Sequence, residues 1–100
     1  MLNAVFFSSY KLKKGVSVPD FLLAAETLSS EHISKLKGYV SMKQFVDNDT
    51  WADAITFETM EDAKNFLAEA RNPNAFAEKF YSFININSCK SHLFSVERSY

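Results

Sequence analysis

The sequence has little of the chemistry that marks secreted, nucleic-acid-binding or membrane-spanning proteins. Its one cysteine, Cys89, allows no disulfide within the chain, which indicates a reducing compartment. Eleven basic and twelve acidic residues give a net charge of −1, which offers no positive surface to nucleic acid or to an anionic membrane. No segment approaches the roughly 18 apolar residues of a membrane span. We therefore expect a cytoplasmic protein with no nucleic-acid or membrane partner.

Familiar catalytic motifs are also absent. The chain has no glycine-rich phosphate loop, no Gly-x-Ser-x-Gly and no His-Glu-x-x-His. The two histidines are not spaced like metal ligands, and one thiol adds little, so we expect no metal site and no cofactor. Two glycines and two prolines exclude a low-complexity chain, and 100 residues predict one domain over residues 1–100.

Aromatic residues, by contrast, are abundant. Ten Phe, four Tyr and one Trp are many for this length. Part of this surplus is expected at a subunit contact or around a ligand.

A hairpin is the clearest local prediction. Strand-like residues 39–46 and 51–57 flank the polar segment 47–50. If Val46 lies opposite Trp51, the same face pairs Gln44 with Asp53. Further pairs on that face are Met42 with Ile55 and Val40 with Phe57, and the other face pairs Phe45 with Ala52, Lys43 with Ala54, Ser41 with Thr56 and Tyr39 with Glu58. One face is apolar with a polar pair set into it.

The remaining patterns complete a β-α-β-β-α-(α)-β order. A first strand covers residues 4–13, and a helix starts at Ser17, restarts near residues 29–30 and ends at Gly38. A second helix starts at Thr59. A third opens at residues 72–73 and turns Phe76, Phe80, Phe83 and Ile84 inward, before a last strand over residues 88–97.

This order predicts an α+β, ferredoxin-like split βαβ fold, with a four-stranded antiparallel sheet and helices on one face. The uncovered face would then carry Val5, Phe7, Tyr39, Phe45, Ala52 and Ala54. An apolar patch of that extent is rarely left in water. We therefore expect a homodimer in which two open sheet faces pack together into an α+β barrel.

The chain resembles the dimeric α/β-barrel superfamily, and within it the antibiotic-biosynthesis-monooxygenase-like group. The resemblance rests on the Gly38-Tyr39 start of the second strand, the turn at residues 47–49, and the segment ITFETMEDAKNF over residues 55–66. It implies one small-molecule pocket per subunit and a cofactor-independent oxygenase reaction on an aromatic or polycyclic substrate. Heme-degrading members of the superfamily use an Asn, a Trp and an iron-binding His. The matching positions here hold Ser8, Phe57 and Phe80, so heme chemistry is not expected.

Several polar and aromatic residues are candidates for the pocket. Asp53, opposite Gln44 on an apolar face, must be hydrogen-bonded or have a raised pKa, which would make it a candidate base. The alternative is that both side chains lie in water near the turn and have no functional role. His92 is a second candidate base, and both His92 and His32 could equally meet a carbonyl or solvent. The remaining candidates for substrate binding are Ser8, Tyr10, Trp51 and Phe57, for which core packing or the dimer rim is the alternative.

Two functional hypotheses follow. The first is a homodimeric monooxygenase-like enzyme acting on an unknown small molecule, with Asp53 or His92 as base. The second is a non-catalytic ligand-binding or structural dimer whose pocket is filled by its own Phe and Met side chains. A cavity beside Asp53 and Tyr10 would decide between them.

Overall fold

The computed structural model describes residues 3–100, which form a four-stranded antiparallel sheet with helices on one face. The strands are β1 (Ala4–Leu12), β2 (Tyr39–Asp47), β3 (Thr50–Phe57) and β4 (Ile84–Ser95), in the order β2-β3-β1-β4. The helices are α1 (Val18–Glu31), α2 (Met60–Glu69) and α3 (Ala75–Tyr81), with a short 3₁₀ turn at Ile33–Lys35. The predicted α+β, ferredoxin-like fold is confirmed.

Each helix begins at a polar side chain that accepts a backbone N–H. Ser17 Oγ accepts from Asp20 at 3.3 Å, Thr59 Oγ1 from Asp62 at 3.0 Å, and Asn74 Oδ1 from Ala77 at 2.9 Å. These bonds satisfy one of the N–H groups that the first turn of a helix leaves free. The helix starts predicted at Ser17 and Thr59 are confirmed, while the third helix begins two residues later than expected.

The core lies between the sheet and the helices and is largely aromatic. Phe21, Phe57 and Ile84 are completely buried. The Phe21 ring of α1 packs against Trp51, with ring centroids 5.1 Å apart, and against Phe80, at 5.4 Å. Such contacts add to the free energy gained by burying apolar area.

The predicted boundaries were wrong around the third helix and the last strand. α3 ends at Tyr81 and β4 begins at Ile84, four residues earlier than expected. The Phe83 carbonyl accepts from Lys13 N–H at 2.8 Å, which draws the chain onto the sheet before a further helical turn can form.

Phe76, expected to face inward, is 40% exposed. The break expected at residues 29–30 comes later, because α1 continues to Glu31.

The hairpin register is confirmed from Val46–Trp51 to Ser41–Thr56 but fails at its start. Tyr39, not Val40, lies opposite Phe57, so Val40 is a bulge residue and Tyr39 packs on the core side. The expected Val40–Phe57 and Tyr39–Glu58 pairs are therefore wrong, as is Tyr39 on the open face. Glu58 N–H donates to the Gly38 carbonyl at 2.7 Å, which fixes the strand ends and leaves one extra residue in β2.

A larger irregularity lies in β4. Ser9 pairs with Lys90 and Lys11 pairs with Asn85, so residues 86–89 stand opposite Tyr10 alone. Ser88 Oγ closes this loop by accepting from Lys11 N–H at 2.8 Å and donating to the Asn85 carbonyl at 2.6 Å. The strand bends there and turns the side chains that follow it.

The uncovered face of the sheet carries an apolar patch, which we call the open face. Its predicted members Val5, Phe7, Phe45, Ala52 and Ala54 are found there, and Phe94 of β4 joins them opposite Val5. Phe7, Phe45 and Phe94 are 37%, 48% and 52% exposed. Among the described residues, no helix is both long and apolar enough to cross a membrane.

Gly38 is a position at which a side chain cannot be accommodated. Its φ of +80° favours glycine, and a Cβ there would overlap the Asp62 carboxylate, which is buried. Gly15 has a φ of +79° but open space around it. We expect Gly15→Ala to lower the free energy of unfolding by about 1 kcal/mol through backbone strain, and Gly38→Ala by about 2–4 kcal/mol. Urea denaturation measures both, and equal losses would show that the contact with Asp62 does not matter.

Candidate functional site

A hydrogen-bonded pair of polar side chains lies on the helix-facing side of the sheet. Tyr10 of β1 donates its hydroxyl to both carboxylate oxygens of Asp53 on β3, at 3.0 Å to Oδ1 and 2.9 Å to Oδ2. Tyr10 is 3% exposed and Asp53 6% exposed. The register explains the contact, because Tyr10 lies opposite Trp51, two positions from Asp53 on the same face.

Burial shifts the pKa values of both groups. Loss of water raises the pKa of Asp53 from its ordinary value of 3.8 to about 6, although the hydrogen bond from Tyr10 favours the charged form. The pKa of Tyr10 is raised well above its usual range by burial and by the negative charge of Asp53. Tyr10 therefore remains a donor, while Asp53 changes its charge slightly below neutral pH.

A cavity of about 130 Å³ adjoins this pair. Its polar members are Ser8, Tyr10, Asp53, Cys89 and Ser91. The rest of the wall is mostly apolar and comes from the sheet and all three helices; it consists of Phe6, Leu28, Ile33, Met42, Ile55, Phe66, Phe80, Tyr81 and Ile84. A cavity of about 150 Å³ can hold a benzene molecule, so this one has room for roughly a single aromatic ring.

The mouth of the cavity lies at the β4 edge. Tyr81, Cys89 and Ser91 are its exposed lining residues, whereas Tyr10, Asp53 and Phe80 are buried. Access to Asp53 therefore runs from the end of α3 and the strand edge inward along the sheet.

Comparison with solved structures shows the same fold at low sequence identity. Comparison of the sequence with family models and with curated proteins gives no match. SnoaB, a cofactor-independent oxygenase from Streptomyces nogalater, is similar with a TM-score of 0.74 and 8% identity over 99% of this chain and 97% of that one. A putative antibiotic biosynthesis monooxygenase from Bordetella bronchiseptica has a TM-score of 0.75, with 8% identity over 94% and 96%. A dimeric protein of unknown function and ferredoxin-like fold from Bacteroides fragilis has a TM-score of 0.61, with 15% identity over 94% and 96%.

The chain has the fold of the antibiotic-biosynthesis-monooxygenase-like proteins. Identities of 8–15% show this shared fold and no more.

Of the predicted site residues, the structure brings Ser8, Tyr10 and Asp53 together in the cavity. Gln44 lies opposite Asp53 as expected, but it does not line the cavity. Its Nε2 is buried and makes no hydrogen bond of acceptable geometry within residues 3–100. The alternative in which Asp53 lies in water near the turn is wrong, because helices α1, α2 and α3 cover this part of the sheet and leave Asp53 only 6% exposed.

The other predicted residues lie elsewhere. His92 is on the open face, opposite Phe7, with its ring stacked 5.5 Å from that of Phe94, so it does not share the cleft with Asp53. His32 Nε2 contacts Glu69 Oε1 at 2.5 Å, joining the ends of α1 and α2. Trp51 packs edge-on against Phe21, and Phe57 is a core residue. Strand alternation separates His92 from the site, Trp51 and Phe57 pack in the core, and His32 contacts Glu69.

The three lining residues at the mouth of the cavity, Tyr81, Cys89 and Ser91, were missed. Alternation in the last strand had grouped Cys89 and Ser91 on one side, but only the pairing of β4 with β1 shows which side faces the helices. Burial raises the pKa of the Cys89 thiol, so this group is not an activated thiolate. Within residues 3–100, no three metal-ligating side chains lie close enough together to hold an ion.

The Asp53 carboxyl should make stability depend on pH. The pKa of Asp53 is about 6 in the folded chain, whereas its ordinary value, which applies to the unfolded chain, is 3.8. The folded state therefore binds the proton more tightly than the unfolded state does. The free energy of unfolding, relative to Asp53→Asn, should therefore rise by about 2–3 kcal/mol as the pH falls from 7 to 4. Urea denaturation across this range measures the difference, with Asp49→Asn in the exposed turn as the control for loss of one charge. A difference that does not change with pH would contradict the raised pKa.

Proposed function

We propose that the chain is a cofactor-independent oxygenase that binds a single-ring phenol in the cavity beside Asp53. The observation that supports this most is a buried carboxylate of pKa about 6 that lines a small, mostly apolar cavity. A base of this pKa is largely ionised at neutral pH and can accept a proton. The fold shared with SnoaB and with the Bordetella protein agrees with this proposal.

The reaction begins with proton transfer. The phenol hydroxyl gives its proton to Asp53, which has lone pairs left beyond the hydrogen bond from Tyr10. The phenolate passes one electron to dioxygen, the oxidant. The two radicals then form a C–O bond at a ring carbon, and the peroxide takes the proton back from Asp53. Loss of water breaks the O–O bond and the C–H bond at that carbon, which leaves a quinone.

Tyr10 and the apolar wall position the substrate and tune the base. The Tyr10 hydroxyl favours the charged form of Asp53 and fixes the direction of its carboxylate. Leu28, Phe66 and Phe80 cover the ring and exclude water, which would otherwise solvate the phenolate. His92 has no part in this scheme because it lies on the other face of the sheet.

A binding role without chemistry is the second candidate. It is favoured by the hydrogen bond from Tyr10, which already contacts both oxygens of Asp53. In that case phenols bind but no oxygen is consumed.

Oxygen consumption with a panel of single-ring phenols tests the two roles. We expect uptake by the wild type that declines below pH 6, and a loss of roughly 100-fold or more in Asp53→Asn, since general bases contribute 10²–10⁴. Ser9→Ala, on the opposite face of β1, is the control and should keep full activity. Phenol binding without oxygen uptake would exclude the oxygenase role and support the binding role. An active Asp53→Asn variant would exclude Asp53 as the base.

We further propose that two copies of the chain pair through their open faces. The six apolar residues of that face extend over all four strands. Burying about 500 Å² of apolar surface there is worth roughly 12 kcal/mol before the entropy of association is subtracted. The Bacteroides protein of the same fold is described as dimeric, which agrees with the proposal.

Light scattering tests this association. The wild type should have about twice the 11.4 kDa mass of one chain. Phe7→Lys places a charge at the middle of the open face and should raise the dissociation constant at least 100-fold, because an unpaired charge would be buried. Leu23→Lys, at a 61% exposed position on α1, should leave the mass unchanged. A wild type of 11.4 kDa at micromolar concentration would exclude the dimer.

A further inference from the structure

A row of four polar side chains crosses the helix-facing side of the sheet, which is mostly apolar. The register places Gln44 opposite Asp53, Asp53 opposite Ser8, and Ser8 opposite Ser91, one residue from each strand. The neighbouring row on one side is Met42, Ile55, Phe6 and Leu93, all apolar. We call the first set the polar row. It runs from the buried Asp53 to the exposed Ser91 at the mouth of the cavity.

The polar row gives the cavity two separate polar ends. Asp53, with Tyr10, is the inner end, while Ser8 and Ser91 form the outer end, where their hydroxyl oxygens are 2.9 Å apart. Both serines line the cavity. In a bonded pair of hydroxyls one O–H is used between them, so the other O–H and further lone pairs remain available to a ligand.

The spacing of the two ends follows from the sheet. Adjacent strand backbones lie about 4.8 Å apart, so Asp53 and Ser8 lie one strand apart and Asp53 and Ser91 two. A hydrogen bond adds about 2.8 Å at each end, so one aromatic ring that carries two hydroxyls can bridge the two ends. The volume of the cavity limits the ligand to one ring.

We infer that the Ser8–Ser91 pair is a second binding point, which selects single-ring phenols bearing a second polar group on the ring. This inference rests on the proposed function, because it assumes that a phenol hydroxyl occupies the Asp53 end. Ser8 and Ser91 thus determine specificity, while Asp53 and Tyr10 act on the reacting hydroxyl.

Binding of phenol, catechol and resorcinol, measured without oxygen by backbone amide NMR titration, tests the assignment. All three should shift the amide signals of Tyr10 and Asp53. Resorcinol and catechol, each with a second hydroxyl, should bind about fivefold to tenfold more tightly than phenol, the gain expected from one additional hydrogen bond.

Variants at the outer end complete the test. Ser8→Ala/Ser91→Ala should weaken resorcinol to the affinity of phenol and leave phenol itself unchanged, with the amide spectrum reporting that the variant is folded. Ser9→Ala, the neighbouring serine on the open face, should alter neither ligand. Should this double variant not fold, each single variant is expected to lose part of the resorcinol preference.

The outcomes separate this inference from the proposed function. If phenol binds beside Asp53 but resorcinol binds no more tightly, or keeps its advantage in the serine variants, the second binding point is refuted and the proposed function stands. If none of the three ligands shifts the signals of Tyr10 and Asp53, both are refuted.

Discussion

A carboxylate that is largely removed from bulk water needs hydrogen bonds within the protein, and Asp53 sets that requirement for this sheet. Tyr10 meets it from the neighbouring strand with both available contacts. The Tyr10 ring is held in turn by Phe21 of α1 and Phe80 of α3, with ring centroids 6.2 and 6.1 Å away. The helices that remove water from Asp53 therefore also fix the hydroxyl that compensates for its loss. Site and core are one packing arrangement, and a change in either alters the other.

Much of this arrangement follows from local patterns. Alternation along the hairpin places Asp53 beside Gln44 on the apolar face, and the register between Val46 and Ser41 follows from the turn, whose Asn48 has a φ of +55°. The helix starts at Ser17 and Thr59 follow from their capping hydroxyls. These features depend on residues close together in sequence, which explains why the fold class and the placement of Asp53 were predictable.

The features that could not be predicted depend on partners distant in sequence. The bulge at Val40 results from the bond between Glu58 and Gly38, which reverses the face of Tyr39. The placement of Ser91 inside and His92 outside depends on which residues of β4 meet β1 after four unpaired residues. Alternation alone distinguishes the two sides of a strand but does not say which one is covered. His92 was assigned to the cleft for that reason.

The irregularity in β4 also affects how the sheet meets other proteins. β4 is an edge strand, and a regular edge offers a row of free N–H and C=O groups on which a foreign strand can extend the sheet. Residues 86–89 interrupt that row, and the Ser88 hydroxyl donates a hydrogen bond to the Asn85 carbonyl. The loop thus shortens the stretch of this edge on which a foreign strand can pair and cross-β growth can start.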